Sequence, residues 1–178
     1  MPVDDDVPFD PQKILAVLVK HSVEFVAIGG FAATLQGSPF PTDDVDITPR
    51  RRDDNLVRLS DALKELKARV RAEGVDAGLP FDHDATSLAD ARVWNLVTPY
   101  GNFDISFQPT GTDGFDDLAK DAVTVRLDGV EVRLASLADI VRSKGAANRP
   151  KDQRMLPVLR EILANENERR RQQRRRRS

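Results

Sequence analysis

Apolar residues along this chain follow two rhythms, one of helical spacing and one of period two, and their order predicts a mixed α/β domain. Ile14, Leu15, Leu18 and Val19 recur at helical spacing behind Asp10 and Pro11, which read as N-cap and first helical residue. His21 ends that helix, where its charge meets the dipole. A run at 23–28 has strand character, breaks at Gly29-Gly30, and gives way to Phe31-Ala32-Ala33-Thr34-Leu35, which suits a short helix. A strand follows around 45–48. Leu56, Leu59, Leu63 and Leu66 form the clearest stripe and predict a helix over 53–71, with Arg58, Lys64, Glu65, Lys67, Arg69 and Arg71 on its solvated face. Residues 72–90, rich in Gly, Asp and Pro, read as a loop with one short helix.

Beyond that loop, Val93–Thr98 and Phe103–Phe107 flank the turn residues Pro99-Tyr100-Gly101-Asn102 and predict a hairpin. A helix over Phe115–Ala122 precedes a second hairpin, 123–127 and 130–134, about Asp128-Gly129. Ser136 caps a helix running through Ala147. A last helix over 151–165 carries Leu156, Leu159 and Ile162 on one face, with Pro157 as an irregularity. The expected architecture is therefore α/β (α+β): a mixed, twisted sheet with helices mainly on one side and a helical C-terminal region. At 178 residues the chain suits one domain with a real core. That domain covers 1–165, with a core at 23–134 and a helical part at 136–165, followed by a tail at 166–178.

Composition narrows the chemistry. The chain has no cysteine, which excludes disulfides, thiol catalysis and cysteine-based zinc sites. His21 and His83 lie far apart and make no metal-ligand spacing. No apolar run approaches the roughly 20 residues of a membrane span, and the acidic lead-in Met1–Val7 is unlike a signal peptide. The expectation is a cytoplasmic protein with no membrane partner. The net charge of −2 conceals an asymmetry, because seven arginines lie within 169–178 and leave the rest of the chain at −9. That tail has no apolar residue to bury, so it is expected to be disordered, or helical only by extension. Such a block can neutralise nucleic-acid phosphates without reading sequence, or can simply solubilise the end of the chain.

The candidate chemistry lies between the first two strands. Paired glycines at a strand-to-helix turn let a phosphate approach the backbone closely. Thirteen residues separate Gly30 from Asp44-Val45-Asp46-Ile47, in which alternation sends both carboxylates to one face and Val45 and Ile47 into the core. Two oxygen ligands beside a phosphate cradle are what a hydrated magnesium ion carrying nucleotide phosphates requires. Asp104 sits mid-strand between Phe103 and Ile105, a position β-propensity disfavours unless the acid has a partner, and an ion shared with Asp44 and Asp46 would supply one. Read alone, Thr42 closes a turn and Lys144 is a surface lysine.

Gly-Gly followed by Asp-hydrophobic-Asp-hydrophobic resembles the signature of the DNA polymerase β-like nucleotidyltransferase superfamily. The stretch Ser136–Asp152, in which a helical Lys144 is followed by Arg149 and the pair Lys151-Asp152, resembles the C-terminal motif of the AbiEii/MenT-type nucleotidyltransferase toxins. The two regions together cover most of 23–163. The resemblance implies that Asp44, Asp46 and Asp104 hold Mg2+, that Gly29, Gly30 and Thr42 flank the phosphates, that Lys144 contacts the nucleoside triphosphate, and that Asp152 closes the site. It further implies transfer of a nucleoside monophosphate from an NTP to RNA, at the tRNA 3′ end, by a toxin that blocks translation and has a cognate antitoxin. One departure is Phe40-Pro41, where many relatives place a basic residue before Thr42. An antibiotic nucleotidyltransferase would use the same carboxylates without the arginine tail, and a non-catalytic RNA- or protein-binding module would bind partners without NTP turnover.

Overall fold

A computed structural model describes residues 8–178 and places in one frame the elements that build the site; the acidic lead-in falls outside these residues. Helix α1 (Pro11–Lys20) starts where the Asp10 carboxylate accepts the Lys13 N–H and ends at His21. Strand β1 (Phe25–Ile28) runs straight into α2 (Gly29–Thr34), and β2 (Asp44–Pro49) leads to α3 (Asp53–Glu65). Two short strands follow, β3 (Arg69–Ala72) and β4 (Val75–Leu79), then α4 (Ala85–Asp90). The hairpin β5 (Val93–Thr98) and β6 (Gly101–Ser106) precedes α5 (Phe115–Lys120) and a second hairpin, β7 (Val123–Leu127) and β8 (Val130–Leu134). Helices α6 (Leu137–Ala147) and α7 (Pro150–Arg177) complete the chain.

All eight strands belong to one mixed sheet in the order β4-β3-β5-β6-β2-β1-β8-β7. The pairs β2–β6 and β1–β8 are parallel, and the other pairs are antiparallel. Alternation along the central strands buries Val45, Ile47, Phe103 and Ile105 in one core with Ile14, Leu15 and Leu18 of α1 and Leu56, Leu59 and Leu63 of α3. Each such side chain contributes about 2 kcal/mol by leaving water. The acids Asp44, Asp46 and Asp104 lie on the opposite face of the same strands and stay partly open.

Three segments depart from the sequence-based expectation. Helix α3 stops at Glu65 rather than running to 71, because Leu66 caps it and Lys67 takes a left-handed φ of 51° that turns the chain back. Residues 69–79, expected as helix end and loop, form the β3–β4 hairpin instead, turned at Gly74 with φ 75°. The last helix, expected over 151–165, runs on to Arg177 and takes in the arginine-rich tail. Pro157 lies inside α7 without ending it, since Met155, Leu156 and Leu159 anchor that turn in the core. No helix among the described residues is long and apolar enough to cross a membrane.

Candidate active site

Strand register brings the three acids together. Asp46 pairs directly with Asp104 across the parallel β2–β6 ladder, and Asp44 pairs with Asn102. One carboxylate oxygen from each of Asp44, Asp46 and Asp104 lies within 4.8 Å of the others. On the other side of β2, Ile28 pairs with Asp46, so β1 ends beside the acids and delivers Gly29-Gly30 to them. Gly29 has φ 68°, and a Cβ there would overlap the Asp46 carboxylate; at Gly30 a Cβ would come 3.3 Å from Thr42 Oγ1. The Thr42 hydroxyl donates to Asp44 Oδ1 at 3.1 Å and fixes that carboxylate at the loop side.

These residues line a cavity of about 530 Å3, closed on its far side by α6 and the start of α7. Gly29, Gly30, Thr42, Asp44, Asp46, Asp104 and Lys144 all face it. Asp152 does not. It is fully buried behind the cavity, where Lys144 Nζ lies 3.4 Å from its Oδ1 and Arg149 Nε donates to its Oδ2 at 2.7 Å. Asp152, expected from the resemblance to close the site, therefore lies behind the cavity wall and pairs with two cations that line it. Arg149 and Lys151 also line the cavity, bringing the positive charge that Phe40-Pro41 lacks.

The electrostatics are those of crowded acids. Burial, then the charges of Asp44 and Asp104, lift the Asp46 carboxyl from 3.8 to about 7, and Lys144 and Arg71 do not offset this. Burial also raises Asp104, against the pull of Arg71. Asp152 goes the other way: burial alone would raise it, but the hydrogen bond and charge of Arg149, followed by Lys144, hold it below the usual range.

Three converging carboxylates with a net shortage of positive charge fit a divalent cation. The all-oxygen donor set suits a hard ion such as magnesium, which keeps positions for water and phosphate oxygens. Two basic residues of the neighbourhood were not read from the sequence in these roles. Arg71 of β3 hydrogen-bonds Asp104, and Arg149 pairs with Asp152 three residues on. The Arg149–Asp152 spacing across the first turn of a helix begun by Pro150 is a signal that could have been found; Arg71 gave none.

No family model and no curated protein sequence matches the chain. Solved structures do match, and they define a nucleotidyltransferase fold. The lincosamide antibiotic adenylyltransferase LnuA, with lincomycin bound, superposes with a TM-score of 0.56 at 13% identity, over 85% of this chain and 95% of its own. ANT(2'')-Ia in complex with adenylyl-2''-tobramycin gives 0.52 at 18% identity, over 88% and 89%. A candidate nucleotidyltransferase from Thermotoga maritima gives 0.50 at 18% identity, over 87% and 91%.

Proposed function

We propose that the chain is an enzyme that transfers a nucleoside monophosphate from an NTP to a hydroxyl acceptor, with magnesium, releasing pyrophosphate. The observation that carries this reading is the convergence of Asp44, Asp46 and Asp104 beside an open glycine turn, with Lys144 on the same cavity. In this reading the three carboxylates hold magnesium, which supplies charge neutralisation at the phosphates. Gly29 and Gly30 leave the backbone bare, so that phosphate oxygens reach it, and Thr42 orients Asp44. Lys144, kept in place by Asp152, provides a point charge for the leaving pyrophosphate. Asp104, its carboxyl raised by burial, accepts the proton of the attacking hydroxyl.

For the acceptor, the AbiEii/MenT-type resemblance and the arginine tail support RNA, at the tRNA 3′ end, with a cognate antitoxin as partner and arrest of translation as outcome. A second reading has its own support. A cavity of about 740 Å3 adjoins the site at Asn95 and is lined by Asp43, Glu73 and Asp76, with Arg71 as its one cation among the described residues. An acidic mouth of this kind suits a cationic, hydroxyl-bearing small molecule and repels a polyanion. LnuA and ANT(2'')-Ia, with lincomycin and adenylyl-2''-tobramycin, are of that acceptor class.

One experiment tests both the reaction and the acceptor. The protein is incubated with each labelled NTP and magnesium, with total RNA in one arm and amine-rich antibiotics in another. Label is expected to move to one acceptor, and Asp44→Asn and Asp46→Asn should abolish that transfer while leaving the fold intact. Near-wild-type turnover in either variant would overturn the assignment of the carboxylates.

A further inference from the structure

The β3–β4 hairpin sits at the edge of the sheet and is joined to it by a short ladder, Arg69↔Val97 and Val70↔Leu96. Pairing between β3 and β4 shifts register between Val70 and Ala72, the span that contains Arg71. An irregularity of this kind re-aims the side chain within it. Arg71 reaches across β5, donating from Nη2 to the Leu96 carbonyl at 3.2 Å and to Asp104 Oδ1. It is the only basic side chain that pairs with an acid of the Asp44–Asp46–Asp104 group among the described residues. Among the described residues Asp44 and Asp46 have no such partner, and the one polar contact of their carboxylates with another side chain comes from the Thr42 hydroxyl. The group is thus divided: two acids on β2 without a cation, and one on β6 already paired.

We infer that Arg71 is a positioning residue that stands in for a cation at Asp104, so that the ion-free protein offers one strong divalent site on β2 and withholds Asp104 from a second ion. The inference rests on the reading of the three acids as an ion site. A guanidinium on one oxygen holds the Asp104 carboxylate in the register it needs, and it also competes for the lone pairs an ion would use. The Arg71 side chain is 37% exposed, so the pair is screened by water and can open when a better partner arrives. Entry of a nucleotide-borne ion, or of an acceptor into the cavity that Arg71 lines, would displace the guanidinium from the carboxylate. Arg71 would thereby set the order of events, with the β2 ion first and Asp104 engaged afterwards.

The test is Mn2+ binding without nucleotide, followed by electron paramagnetic resonance and calorimetry, on the full chain and on Arg71→Gln, Arg71→Lys and Arg71→Gln/Asp104→Asn. Wild type is expected to bind one ion tightly and a second weakly. Arg71→Gln should tighten the second ion roughly tenfold, Arg71→Lys should fall between, and adding Asp104→Asn should remove the gain. Activity gives a second readout: Arg71→Gln should lower the magnesium concentration needed for half-maximal rate. Equal stoichiometry and affinities in wild type and Arg71→Gln would overturn the role of Arg71 and leave the ion site standing. Absence of Mn2+ binding in every folded protein would overturn the ion site itself. Should Arg71→Gln fail to fold, Arg71→Lys carries the test, and second-ion binding unchanged from wild type would overturn the inference.

Discussion

Lys144 Nζ lies 3.4 Å from Asp152 Oδ1 across the junction of α6 and α7, with Asp152 sealed from solvent and only 10% of the Lys144 side chain exposed. The pair separates two kinds of acid, those that face the cavity and the one that works through a cation. Asp152→Asn leaves Lys144 buried without its counter-charge and should cost about 3–5 kcal/mol of stability. The folded variant should use NTP poorly yet keep Mn2+ binding, because the three strand acids are untouched. Lys144→Ala should spare more stability, since Arg149 still satisfies Asp152, and should weaken NTP use by about 2–4 kcal/mol. Urea unfolding, steady-state kinetics and Mn2+ titration on both variants check this. Loss of Mn2+ binding in folded Asp152→Asn would make Asp152 part of the ion site.

Gly29 and Gly30 should respond differently to the same substitution. Gly29→Ala forces an L side chain to φ 68° and drives its Cβ into the Asp46 carboxylate, so ion binding and turnover should both collapse. The left-handed backbone alone adds about 1–2 kcal/mol of destabilisation. Gly30→Ala meets only the Thr42 side chain, nearest at Oγ1 3.3 Å away, and should keep most ion binding. Similar ion affinities in the two alanine variants would count against the cradle at Gly29.

The Asp46 carboxyl predicts a pH dependence with a definite sign. Its value of about 7 in the fold lies above its ordinary 3.8, so the folded chain holds this proton more tightly than the unfolded one. The ion-free protein should therefore lose stability as pH rises from about 4 to about 7 and level off above that. The interval corresponds to at most about 4 kcal/mol. Asp46→Asn should flatten the trend. A divalent ion should restore stability at the high end, where the carboxylate it binds is already ionised, and should release a proton when added below pH 7. Urea midpoints of both proteins at about pH 5 and about pH 8, with and without Mg2+, measure the stability effects, and the pH change of a weakly buffered solution on adding Mg2+ reads the proton release.

The arginines at the end of α7 bear on the acceptor. A body at −9 repels a polyanion, and seven arginines nearly cancel that charge. If RNA is the acceptor, deleting 169–178 should raise its apparent KM and flatten its salt dependence, whose log–log slope approaches roughly −0.7 per phosphate neutralised on a single strand. The rate at saturating RNA should stay the same, because the tail acts equally on ground and transition states. A small cationic acceptor should be indifferent to the deletion. Transfer to RNA with unchanged KM and salt slope would remove the tail from recognition.

Much of this arrangement was legible in the sequence where burial forces a pattern. Val45 and Ile47, or Phe103 and Ile105, must go inward, and that alone turns Asp44, Asp46 and Asp104 to the other face. The β3–β4 hairpin escaped because its faces are mostly exposed, so no hydrophobic alternation marks it, and the leucine stripe of α3 suggested continuation. Its turn did carry a signal, Glu73-Gly74 between Val70 and Val75. The position of Asp152 escaped for a different reason. A charged residue is expected at the surface, and only the paired cations Lys144 and Arg149 allow it to be buried.

The direct pairing of Asp46 with Asp104 makes the ion site a gauge of strand alignment. A slip of one residue in β6 would point Asp104 into the hydrophobic layer and present Phe103 or Ile105 to the cavity in its place. The three acids can therefore meet only when two strands far apart in the chain have zipped in the native register. A divalent ion that engages all three, once Arg71 has left Asp104, would bind the correctly aligned sheet in preference to any shifted one, and so would act on the folding equilibrium as well as on the reaction.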